Sequence, residues 1–143
     1  MNTAHASTAL PSLVSEHPAA APSEAARHFA GRLAFETDPF DLHHDLESAV
    51  SEVVAVDTRT RDAYLASHIP GSIHLPHRQM TAASTAHLSK DKVYVTYCWG
   101  PGCNASTKGA LRLSSMGFSV KELIGGLEYW QREGYPIRSG ESP

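Results

Sequence analysis

The chain has 143 residues, 41% apolar and 19% charged, the balance of a single globular domain with its own core and not of a disordered segment. A formal net charge of −3 without a basic stripe speaks against a nucleic-acid partner, and no apolar run approaches the roughly 18 residues of a membrane span. The opening residues lack Lys and Arg, and Pro11 interrupts their apolar stretch, so they do not form a secretory signal and the chain reads as cytoplasmic.

Residues 1–21, rich in Ala, Ser, Thr and Pro, read as a flexible N-terminal tail. A single domain over 22–138 follows, and 139–143 read as a C-terminal tail. The domain begins with an accessory helix over 22–36, with Ser23 as N-cap and Ala26, Phe29, Ala30 and Leu33 on one apolar face. That face either packs on the domain or forms a homodimer contact. A short strand is expected over 33–37 and a helix over 41–48. Val53-Val54-Ala55-Val56 is a continuous apolar run ending in Asp57-Thr58-Arg59, as a strand buried on both faces reads. A helix over 60–66, a Pro-Gly turn over 68–72, a strand over 72–75 and a helix within 76–88 come next.

Val93 to Tyr97 is the second central strand and runs directly into Cys98. Trp99, Gly100, Pro101, Gly102, Cys103 and Asn104 form a glycine-rich loop, followed by a helix over 105–116 that stops at Gly117. A strand over 120–124, a Gly125-Gly126 turn and a helix over 127–133 close the pattern. Strands and helices alternate throughout, so the fold class is α/β with a mostly parallel sheet.

A cysteine at the carboxyl end of a buried strand lies where open α/β sheets bind their ligands. Gly100 and Gly102 let the loop curl so that amides converge, and the next helix presents its free N-terminal N–H groups. Such surroundings stabilise an anion on sulfur and lower a cysteine pKa from about 8.5 into the range of roughly 3.5–7.5, producing the nucleophilic thiolate.

Two stretches carry a family resemblance. VVAVDTRTRDAYLASHIPGSIHLP resembles the upstream signature of the rhodanese family, and VYVTYC with its loop, ALRLSSMGF and VKELIGGLEYWQREGYPI resemble the second half. The resemblance spans roughly residues 33–137. It implies a central sheet of about five strands with helices on both faces, and a sulfurtransferase without a cofactor. Cys98 would take a sulfane sulfur from a donor such as thiosulfate, hold it as a persulfide, and pass it to cyanide, a thiol or a protein cysteine. The amides from Trp99 to Asn104 would line the pocket. Asp57 and Arg59 would form a structural ion pair, and His68 would belong to the family turn. Apart from the resemblance, Lys108 and Arg112 lie one turn apart on the helix after the loop and read as solvated helix charges, with assistance to an anionic donor as the alternative.

Two departures stand out. No arginine precedes the helix where many relatives carry one, and the segment from Cys98 to Gly117-Phe118 is longer than is common. The missing arginine speaks against the related phosphatases, which grip a phosphate bidentately. A disulfide between Cys98 and Cys103 would close too short a loop to add much stability and would be reduced in the cytoplasm. Cys103 is therefore either a packing residue or a resolving thiol. Two rival functions remain: a redox module with a reversible Cys98–Cys103 disulfide, and a non-catalytic partner-binding domain. The pairs His74/His77 and His43/His44 lack companion ligands, and no metal is expected.

Overall fold

The computed structural model describes residues 11–50 and 52–143. The chain divides into two units, 1–31 and 32–143. The expected tail over 1–21 lies, for its first ten residues, outside the described residues; Val14–Glu16 form a short 3-10 turn. Helix α1 spans Pro22–Phe35, and none of its residues is buried. Pro22, not Ser23, opens it, as the fixed φ of proline suits the first helical position. It also runs through Leu33 to Phe35, where a strand was expected. Leu and Ala are strong helix formers, and only Glu36–Thr37 find a strand partner, so β1 is confined to these two residues.

The second unit carries a five-stranded sheet of order β1-β5-β4-β2-β3, parallel at every pairing. β2 spans Val53–Asp57, β3 Ile73–His74, β4 Val93–Tyr97 and β5 Ser119–Leu123. Between them lie α2 (Pro39–Glu47), α3 (Arg61–Ala66), α4 (Ala105–Ser115) and α5 (Gly126–Arg132). The Asp38 carboxylate accepts from the Asp41 amide and caps α2, while Thr60 caps α3 through the Ala63 amide.

Two hydrophobic cores explain the unbroken apolar runs. On one side, Leu42, Ala55, Val95, Tyr97, Leu127 and Trp130 pack together. On the other, Val56, Tyr94, Met80, Leu113 and Phe118 form a second cluster. Alternate residues of β2 and β4 thus enter opposite cores, as a sheet covered on both faces requires.

The stretch 76–88 is not the expected helix. Only His77–Gln79 form a 3-10 turn, and turns follow. The hydroxyls compete for the backbone: Ser84 Oγ donates to the Gln79 carbonyl at 2.7 Å, and Thr85 Oγ1 to the Thr81 carbonyl at 2.7 Å. The last residues are tied down as well: the Gly140 amide donates to the Leu65 carbonyl at 2.8 Å and Ser139 Oγ to that of Ala66 at 3.0 Å.

Candidate active site

The site lies where the strand order reverses. β2 leads outward to β3 and β4 leads the other way to β5, so the carboxyl ends of the adjacent strands β2 and β4 form the switch-point crevice. Register sets Asp57 beside Tyr97 there, with Cys98 next in the chain. Thr58 latches the two ends, its amide reaching the Tyr97 carbonyl at 3.1 Å and its Oγ1 at 2.8 Å.

Asp57 is fully buried and accepts from the Arg59 amide at 2.9 Å and from the guanidinium, with Nη2 to Oδ2 at 2.7 Å. Arg59 Nη2 also donates to the Ser67 carbonyl. Both groups are thereby spent on structure. Beside them, the buried Tyr97 hydroxyl accepts from the Ile69 amide at 3.1 Å and bonds Ser72 Oγ at 2.9 Å. Burial, reinforced by the Asp57 charge, pushes its pKa well above the usual phenol range, so it stays protonated.

The Cys98 loop is held from one side by α5. The Leu127 amide donates to the Cys98 carbonyl at 2.9 Å and the Glu128 amide to the Trp99 carbonyl at 2.7 Å. Across a trans peptide the N–H opposes the C=O, so the Trp99 and Gly100 amides are turned away from α5. Pro101 has no N–H, and of those of Trp99, Gly100, Gly102, Cys103 and Asn104 only that of Cys103 finds a backbone acceptor among the described residues, the Gly100 carbonyl at 3.2 Å. Free amides are what an anionic sulfur site requires.

The structure joins Cys98 and Cys103 in a disulfide, with Cα atoms 6.2 Å apart. The Gly100–Cys103 turn brings the two backbones within ordinary disulfide reach, the pairing that a resolving thiol or a redox pair requires. Cys98 is 2% exposed, and Cys103 is partly exposed.

Two cavities flank the disulfide. The larger, about 580 Å³, is lined by Cys98, Trp99 and Cys103, and by Arg59, Arg61, His77 and Arg78 from the β2 and β3 side. The smaller, about 220 Å³, is lined by both cysteines, Gly100 and Pro101, and by Glu36 and Glu122. Glu122 also accepts from Ser106 and Thr107 hydroxyls, each at 2.8 Å, at the start of α4. The larger cavity thus has Arg78, unpaired among the described residues, on its wall beside the paired Arg59 and Arg61, and the smaller has two acids.

Trp99 is 52% exposed at the rim of the larger cavity, so it does not pack against a neighbouring helix as a core residue would. Gly102, Asn104, Asp57, His68 and Lys108 line neither cavity. His68 is fully buried, stacked on Tyr64 and bonded to the Tyr64 and Ser142 carbonyls at 2.8 Å each. Lys108 is exposed on α4, and its charge adds to burial in lowering the pKa of His77. The sequence reading missed Arg61, His77, Arg78, Glu36 and Glu122. Arg78 was within reach of one rule, since residues just beyond the carboxyl end of a parallel strand share the ligand edge, and Arg78 follows β3 closely.

The fold and the cysteine loop define a rhodanese-type domain. Residues 41–133 match the Rhodanese-like domain family, and the chain belongs to it. A crystal structure of the BH2092 protein from Bacillus halodurans superposes with a TM-score of 0.81 at 44% identity, covering 83% of this chain and 87% of that one. Thiosulfate sulfurtransferase GlpE of Pseudomonas savastanoi is 37% identical over 84 residues, 58% of this chain and 76% of that protein. The HTH-type transcriptional regulator Rv0324 of Mycobacterium tuberculosis is 35% identical over 89 residues, 62% of this chain but only 39% of the regulator. Among the described residues no helix is long and apolar enough to cross a membrane.

Proposed function

We propose that the reduced chain is a sulfurtransferase that carries sulfane sulfur as a persulfide on Cys98. The observation that carries this reading is the position of Cys98: a buried cysteine just past the end of β4, at the head of a loop whose N–H groups, that of Cys103 apart, find no backbone acceptor among the described residues, and on a cavity also lined by Arg59, Arg61 and Arg78. Amides stabilise the thiolate and the persulfide anion, and the cationic mouth selects an anionic donor such as thiosulfate. The thiolate attacks the sulfane sulfur, sulfite leaves, and the outer sulfur passes to a thiophilic acceptor such as cyanide, a thiol or a protein cysteine. Arg61, paired with Glu141, and Arg78, unpaired among the described residues, line the cavity and give it positive charge although the loop itself carries no arginine. The likeness to thiosulfate sulfurtransferase GlpE supports the same chemistry.

The disulfide itself favours a second reading, a thiol redox module cycling between Cys98 and Cys103. A Cys103→Ser variant, which cannot form the disulfide, separates the two. Incubated with thiosulfate, it should gain one sulfur by intact mass, and the Cys98→Ser, Cys103→Ser double variant should gain none. If the single variant takes no sulfur from thiosulfate or from any other sulfane donor, the transferase reading falls and the redox reading stands.

A further inference from the structure

The disulfide occupies the sulfur atom that would bear the persulfide. Resting on the persulfide reading, we propose that the chain is also a sulfide-releasing reductase of sulfane sulfur: Cys103 resolves the Cys98 persulfide, expelling hydrosulfide and leaving the disulfide seen here.

The geometry supplies the attack. Cys103 Sγ is bonded to Cys98 Sγ with an ordinary backbone separation of 6.2 Å, so it reaches the inner sulfur of a persulfide without unfolding of the loop. In the first step the Cys98 thiolate attacks the sulfane sulfur of thiosulfate, whose S–S bond breaks as sulfite leaves with the electron pair. In the second, the Cys103 thiol gives up its proton and attacks Cys98 Sγ. A bond forms between the two Sγ atoms, the bond to the outer sulfur breaks, and that sulfur departs with the pair as hydrosulfide, the Cys103 proton ending on it. Two thiols lose two electrons and the sulfane sulfur gains them, so no outside oxidant is consumed.

A dithiol reductant then restores the chain and is itself oxidised to its disulfide. It attacks Cys103, the more exposed sulfur, and expels Cys98 as the thiolate that the loop amides stabilise. A staple role does not account for the pair. A disulfide across so short a loop constrains the unfolded chain little, and the hydrogen bonds from Leu127 and Glu128 already anchor the loop. The two mouths fit the cycle: the cationic cavity admits the anionic donor, while the acidic one repels it and leaves the disulfide open to an uncharged dithiol.

The test uses the full chain, reduced with a dithiol, freed of it without oxygen, and given one equivalent of thiosulfate. Sulfide is then measured with intact mass. The native chain should release about one sulfide per chain and end two hydrogens lighter than the reduced form. Cys103→Ser and Cys103→Ala should each hold one added sulfur and release none until a dithiol is supplied. A native chain that keeps its added sulfur as stably as these variants overturns the inference and leaves the transferase reading intact. Variants that never take up sulfur overturn the persulfide reading and this inference with it.

Discussion

The backbone of Gly126 packs directly against the Cys98 carbonyl: a side-chain carbon built on Gly126 would lie 2.5 Å from that oxygen and 2.8 Å from the Gly100 nitrogen. Its φ of +59° is also a conformation that other residues adopt reluctantly. This approach lets α5 hold the carbonyl side of the cysteine loop, while the Trp99 and Gly100 amides find no backbone acceptor among the described residues.

Gly126→Ala should therefore displace the loop. We expect a loss of about 1–3 kcal/mol in urea unfolding, together with slower sulfur loading of Cys98. Gly134→Ala provides the reference, since its φ of +79° carries the backbone strain but no atom lies within 4 Å. Equal losses in the two variants, with unchanged loading, would refute a steric role for Gly126.

The Asp57–Arg59 pair is buried on both sides, so removing one partner strands the other. Arg59→Ala leaves a carboxylate with no exposure and without its guanidinium, which costs about 3–5 kcal/mol. Denaturant unfolding of the reduced chain measures it. Arg59→Lys should recover only part of the loss, because one ammonium cannot serve both Asp57 oxygens and the Ser67 carbonyl. Full recovery by lysine would show that charge alone matters.

What was legible in the sequence follows from locality. Val53 to Val56 and Val93 to Tyr97 read as central strands because burial on both faces leaves no polar alternation, and the place of Cys98 follows from the second of them. The walls of the site depend on strand order instead. β3 lies beside β2 and carries His77 and Arg78 to the mouth, while the pairing of Glu36 with Glu122 in register brings two acids together from distant parts of the chain. Neither adjacency is written in spacing. The segment after Pro76 departs from the expected helix because its Ser and Thr hydroxyls claim the backbone carbonyls. Loop length and compartment left the pairing of Cys98 and Cys103 open in the sequence, because their distance is set by a four-residue turn.

His77 should make stability depend on pH. Its Nδ1 is buried without a hydrogen-bond partner, and its pKa is lowered by burial first and then by the charges of Lys108, Arg112 and Arg78. The folded chain thus binds fewer protons at this site than the unfolded chain. Stability is intact above the unfolded pKa of about 6.5 and is lost as pH falls below it toward the depressed folded value. Unfolding midpoints across this window should decline less steeply in His77→Gln than in the native chain. Parallel declines would remove His77 as the source.

Arg78 should set donor affinity and not chemistry. It is exposed on the wall of the larger cavity and makes no ion pair among the described residues, while Arg59 and Arg61 pair with Asp57 and Glu141. Thiosulfate loading by Arg78→Ala, followed at rising donor concentration, should show a KM raised roughly two- to fivefold, the scale of one solvated charge contact, with the saturating rate preserved. The defect should fade as salt rises, because screening weakens the native chain more than the variant. An uncharged sulfane donor should not distinguish the two proteins. If the variant loses saturating rate equally with thiosulfate and with the uncharged donor, Arg78 acts on the cysteine loop itself and the cationic mouth is not what selects the donor.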